Sequence, residues 1–307
     1  MQVVFFGTPA FAVPSLRALL DEGIGVSAVV TQTDKPKGRS RSVFVPPPVK
    51  VEAEALGLPV LQPARPTGDL FSASLKRYAP DLGVVVAYGH ILPKSVLAVP
   101  RLGMINVHAS LLPRHRGAGP IQAAILQGDE TTGITIMQMD AGMDTGPILH
   151  TAETAIGPDE TAGELADRLG ALGAKTLVEA IGLIRDGRLH PQSQDPASAS
   201  YAPKLDRETA RIRWNLPAQE ISSRIRAFDP TPGAWTRLGG RDLKLFRPTV
   251  FPEQGAAGVI LSTAPELIVG AGEGSVSLRE VQPAGRRRML VSEWVRGGGP
   301  RPGQRLE

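Results

Sequence analysis

The chain has 307 residues, 42% of them hydrophobic and 21% charged, enough for two domains with cores of their own. It contains no cysteine, which excludes disulfides, thiolate catalysis and cysteine-ligated metals. Its formal net charge of +4 is unevenly placed, −2 over residues 1–203 and +6 over residues 204–307, an asymmetry that points to a polyanionic partner. No apolar run approaches the roughly 20 residues needed to span a bilayer. The chain enters an apolar strand at once, with no basic n-region or cleavage site, so a cytoplasmic protein is expected.

In chain order, residues 2–6 read as a buried strand, followed by a turn at Gly7-Thr8-Pro9 and a helix over 14–22. Further apolar strands are expected at 25–31, 82–87 and 103–109, then a helix at 120–127 and strands at 132–138 and 148–153. A long helix is expected over 161–185, where Thr161 with Glu164 three residues on makes a capping box. Near-continuous apolar strands alternating with helices predict an α/β fold, a Rossmann-like doubly wound and mostly parallel sheet. Residues 190–203 are rich in Pro, Ser and Ala and nearly uncharged, a linker by composition. Beyond them, one helix at 218–227 precedes short strands at 233–238, 242–247, 258–262, 267–271 and 275–281, which suits a small β-barrel. The expected division is thus 1–189, a linker at 190–203, and 204–307.

The first strand-to-helix turn lacks Gly-x-Gly-x-x-Gly, so no dinucleotide site is expected there. Asn106 and His108 lie two residues apart at a strand's C-terminal end and share a face. That places an amide donor and a titratable imidazole where α/β enzymes keep their ligands. The amide holds a developing oxyanion while the histidine manages a proton. Asp140 and Asp144 both sit in a nearby turn, either of them a plausible turn former. Asp144, between Gly142 and Gly146, is the better candidate to orient His108 and favour its charged form. His90, His115, His150 and His190 lack metal-ligand spacing and are expected on the surface or in loops; no metal is called for. Residues 35–50 carry five basic side chains and no acidic one, a basic loop suited to phosphate.

At these residues the chain resembles the methionyl-tRNA formyltransferases. The resemblance rests on Phe5-Phe6-Gly7-Thr8-Pro9, Asn106-Val107-His108, Ser110-Leu111-Leu112-Pro113-Arg114, Asp144-Thr145-Gly146 and Tyr201-Ala202-Pro203-Lys204-Leu205. Asn106, His108 and Asp144 match the catalytic trio of the wider 10-formyltetrahydrofolate transferase superfamily. Ser110, Leu111, Leu112 and Pro113 match its folate-contacting loop. The resemblance implies 10-formyltetrahydrofolate as co-substrate, initiator Met-tRNA as acceptor, no metal, and no obligate protein partner. It also implies an OB-like barrel for residues 204–307 that helps hold tRNA, and carries contact with the acceptor stem onto Lys37, Arg39 and Arg41. Gly119 stands where the family usually has Ala, which removes no functional group. The alternative is formyl transfer to an amino-sugar nucleotide on the same first domain.

Overall fold

Runs of Val, Ile and Phe bounded by turn residues pair into one sheet, because such runs bury both of their faces only when helices cover the sheet on each side. The computed structural model describes residues 1–37 and 43–307. It divides into two compact units, one of residues 1–120, 132–155 and 166–202, the other of residues 121–131, 156–165 and 203–307. Among the described residues, no helix is long and apolar enough to cross a membrane.

In chain order, the first unit has β1 (Gln2–Gly7), β2 (Gly25–Val30), β3 (Lys35–Lys37), β4 (Val43–Val45), β5 (Val60–Leu61) and β6 (Leu82–Val86). There follow β7 (Met104–His108), β8 (Arg116–Gly117), β9 (Thr131–Gln138), β10 (Ile148–Ala155) and β11 (Tyr201–Ala202). Seven of these form the main sheet in the order β10-β9-β7-β6-β1-β2-β5. The pairings β1–β2, β1–β6, β2–β5 and β6–β7 are parallel, and β9 runs antiparallel to β7. The expected doubly wound, mostly parallel sheet is therefore present. Val4, Phe6, Ala28, Val30 and Val85 share one core with Phe71 and Leu75, while Val3 and Phe5 are buried on the opposite face. From β1 the chain winds outward to β2 and β5, then returns to β6 on β1's other side. This makes a topological switch point at the C-terminal ends of β1 and β6, where open α/β sheets bind ligands. There the Thr8 hydroxyl and the Gln32 amide both donate to the Tyr88 carbonyl, at 2.9 and 3.0 Å.

Two segments depart from the sequence reading. The basic loop is not continuous: β3 and β4 pair antiparallel, and a helix over Pro48–Ala55 follows. Lys50 lies in that helix with its ammonium on Asp34 at 2.9 Å, so its charge is already paired. The expected linker is bonded along its length to the first unit. Gln192 exchanges two backbone hydrogen bonds with Ile148, and β11 pairs parallel with β8.

The second unit has β12 (Trp235–Leu238), β13 (Arg241–Phe251), β14 (Ile260–Ser262), β15 (Leu267–Gly270), β16 (Ser275–Pro283) and β17 (Met289–Leu290). They order as β12-β13-β16-β15-β14, with β17 also on β16, and the pairings are antiparallel. Residues 303–307 join the two open edges: Ile260 donates to the Gln304 carbonyl, Leu306 to Gly258, and Glu307 to Arg237. That segment curls the sheet into a barrel. Gly258 permits it, since at its φ of +78° a Cβ would stand 2.5 Å from the Leu306 carbonyl oxygen. The helix Ala218–Phe228 supplies Ile221, Ile225 and Phe228 to a core with Trp214, Leu245 and Leu278. Residues 156–165 join this unit through polar bonds: Arg226 donates to the Glu160 carbonyl, and Gly163 to that of Asp229.

Candidate active site

Strand β7 ends at the rim of the parallel sheet, one strand from the switch point. By strand alternation its side chains Asn106 and His108 project from the same face. The Asn106 side chain has no hydrogen-bond partner among the described residues and is part-exposed. His108 is buried. Its Nε2 lies 3.0 Å from the His115 carbonyl oxygen. A carbonyl only accepts, so Nε2 carries a hydrogen and Nδ1 is the nitrogen left to gain or lose a proton. Nδ1 faces Asp144, whose Oδ2 is 3.7 Å away.

Burial pushes the His108 imidazole below its ordinary 6.5. Asp144 and the His115 carbonyl pull it upward, the His115 ring pushes it down, and burial wins. The expectation that Asp144 keeps His108 charged is thus corrected: desolvation favours the neutral ring. Asp144 supplies a field that stabilises the ring once it is protonated.

The two aspartates of the turn divide their work. Asp140 Oδ1 accepts from the Gly142 amide at 2.9 Å and the Thr145 hydroxyl at 2.8 Å, and so builds the turn. Asp144 sits at φ 55°, a left-handed conformation that Asp tolerates better than most residues. Its Oδ2 accepts from the Gly117 amide at 2.8 Å, which fixes the carboxylate against His108.

Residues 110–113 leave the end of β7 directly. Thr135, opposite His108 on β9, donates to the Ser110 carbonyl at 2.7 Å and accepts from the Leu112 amide at 3.0 Å. The Ser110 hydroxyl donates to the Arg114 carbonyl at 2.7 Å. Ser110 and Leu112 are buried, while Leu111 and Pro113 remain part-exposed. Lys37 ends β3, and Arg39 and Arg41 lie outside the described residues. His115, expected on the surface or in a loop, is in a loop but buried. His150 meets Glu179 at 3.1 Å, and His90 and His190 are exposed.

Three residues around this site were not singled out from the sequence: Thr135, Gln194 and Ser200. Thr135 is hidden in an apolar strand, and the other two lack any motif. Ser200 Oγ accepts from the His115 amide at 2.9 Å, and Arg116 donates twice to the Gln194 side-chain oxygen, at 3.0 and 2.6 Å.

Residues 1–181 match the formyl transferase family, and residues 204–299 match the formyl transferase C-terminal domain. The chain is 47% identical over 307 residues to a methionyl-tRNA formyltransferase of Geobacter metallireducens, covering 100% of this chain and 98% of that protein. Among solved structures it resembles the N-formyltransferase from Helicobacter canadensis in complex with folinic acid and dTDP-3-aminofucose. That match has a TM-score of 0.68 at 18% identity, over 92% of this chain and 98% of the other. The methionyl-tRNA formyltransferase from Clostridium thermocellum matches with a TM-score of 0.57 at 18% identity, over 88% and 100%. These two structures share the fold, whereas the family matches and the Geobacter relative follow the sequence through both units: the chain belongs to the formyl transferase family.

Proposed function

We propose that this chain transfers the formyl group of 10-formyltetrahydrofolate to the α-amino group of methionine on initiator tRNA, in the cytoplasm. The observation that carries the reading is the 47% identity to a methionyl-tRNA formyltransferase through the whole length, second unit included. The sugar-directed relative shares the fold at only 18% identity.

The site chemistry supports the same reaction. The methionine amine attacks the formyl carbon, and negative charge grows on the formyl oxygen. The unengaged Asn106 amide donates to that oxygen. His108 takes up the amine proton at Nδ1, directly or through a water, because its Nε2–H is committed to the His115 carbonyl. The imidazolium so formed faces the Asp144 carboxylate and then returns the proton to N10 as the old carbon–nitrogen bond breaks. Leu111 and Pro113 offer a part-exposed apolar wall beside these groups for the folate ring, with Ser110 and Leu112 holding the loop's shape. Lys37, Arg39, Arg41 and residues 204–307, which carry a net charge of +6, meet tRNA phosphates. The test is formyl transfer by the purified protein from labelled 10-formyltetrahydrofolate, with charged initiator tRNA and a dTDP-amino sugar as competing acceptors. Label in formyl-methionyl-tRNA is expected. Label in the sugar nucleotide, with none in tRNA, overturns the reading.

A further inference from the structure

Residues 191–198 are exposed except for Gln194, which is part-buried. Its amide makes four hydrogen bonds. The Nε2 donates to the Asp144 carbonyl at 2.8 Å and the Gly146 carbonyl at 2.7 Å. The Oε1 accepts from Nε and Nη2 of Arg116, at 3.0 and 2.6 Å. The partners fix the amide's orientation, since backbone carbonyls only accept and a guanidinium only donates. Both donors and both lone pairs are thereby used. A carboxylate of the same length has no proton to give the carbonyls at neutral pH, and an ammonium has no lone pair for Arg116.

These bonds reach the residue that faces His108. Asp144, held through its carbonyl by Gln194, places its carboxylate 3.7 Å from His108 Nδ1 and accepts from the Gly117 amide. Gly117 follows Arg116, a residue only 4% exposed whose guanidinium is bonded to the other end of the same glutamine. One amide thus ties the Asp144 turn to the segment whose His115 carbonyl holds the other nitrogen of His108. No other bond fixes those two carbonyls of the turn from Asp144 to Gly146 among the described hydrogen bonds.

We infer that Gln194 is a positioning residue for formyl transfer, acting through Asp144 by bridging its turn to Arg116. This rests on the proposed role of Asp144 toward His108. A displacement of about 1 Å in a catalytic group costs on the order of 10²-fold in rate. Loss of the bridge is therefore expected to lower kcat about 10- to 100-fold, with KM for both substrates within about twofold.

Gln194→Glu and Gln194→Ala in the full chain, each alone and combined with Asp144→Asn, test the inference. Gln194→Glu keeps an acceptor for the buried Arg116 and replaces the donors with a carboxylate oxygen that repels the two carbonyls, so a folded variant with reduced kcat and unchanged KM is expected. On the Asp144→Asn background, the Gln194 changes are expected to lower kcat by less than about threefold, because both alter one function. Turnover by Gln194→Glu within about twofold of the parent, or losses that multiply in the double variant, overturns the inference. So does failure of both single variants to fold, since that makes Gln194 a folding residue. If Asp144→Asn itself turns over like the parent, it is the reading of Asp144 that falls.

Discussion

Replacing Asp144 by Asn isolates the charge that the site sets against His108. The substitution is nearly isosteric, Asn also adopts the left-handed conformation found at φ 55°, and its Oδ1 still accepts from the Gly117 amide. What is lost is an anion 3.7 Å from Nδ1. At an effective dielectric constant of about 20, a full charge pair at that spacing is worth about 4–5 kcal/mol. A proton half transferred in the transition state experiences about half of this, roughly 2 kcal/mol, or about 30-fold in kcat; complete transfer raises the loss to about 10³-fold. The pH profile has a definite sign. In the proposed reaction neutral His108 accepts the proton, so kcat is expected to rise with pH through the His108 transition, which burial holds below 6.5. Asp144 raises that transition, so its removal moves the acid limb to lower pH even as the plateau falls. Single-turnover formylation of charged initiator tRNA between pH 5 and 9 measures both quantities. A plateau within twofold of the parent, or an acid limb displaced to higher pH, refutes the assignment.

Thr135→Val removes the hydroxyl that bridges the Ser110 carbonyl and the Leu112 amide. Leaving those buried groups unpaired costs about 1–3 kcal/mol, read as a lower urea midpoint, together with a raised KM for the formyl donor; an unchanged midpoint dissociates the residue from the loop. Glu164 is held at about 2, chiefly by the Arg247 guanidinium and the Thr161 amide. Its depressed value contributes stability that is present above 4.5 and lost as pH falls toward 2, a contribution kept small by its 46% exposure. Glu164→Gln therefore shows a shallower fall in Tm between pH 5 and 2.5 than the parent, and parallel curves rule the contribution out. Exchanging Lys37, Arg39 and Arg41 together for Ala weakens tRNA binding and flattens its salt dependence, by about 0.7–0.9 in log–log slope per lost phosphate contact; an unchanged slope in filter binding removes these residues from the interface.

Much of the fold is legible because it is built from apolar runs. The strands β1 and β6 are near-continuous Val, Phe and Leu, and burial on both sheet faces demands such runs. The helix Pro48–Ala55 is missed because three prolines precede Val49, although proline at a helix's first position is favourable and Val49 and Ala53 are the spaced buried pair. Residues 156–165 give no sign of the unit they join, since Glu160 and Gly163 do so through backbone groups that carry no sequence signature.

The site divides along the same line. Asn106, His108 and Asp144 stand out as candidates because few residue types perform proton and oxyanion chemistry. The charge state of His108 is not, because desolvation depends on what covers the ring, and that cover comes from His115 and the turn rather than from β7. Residues 190–203 make the point most directly. Their Pro-, Ser- and Ala-rich composition reads as a tether, yet Gln192, Gln194, Ser200 and Ala202 each bond the first unit. Composition reports how much a segment gains by hiding from water, and it is silent on whether polar groups elsewhere offer matching donors and acceptors. A segment ordered by complementarity alone carries no hydrophobic signature. A polar strap beside the Asp144 turn is therefore where reading by composition fails, and Gln194, whose four bonds need both donors and acceptors at one length, is the residue where that failure is sharpest.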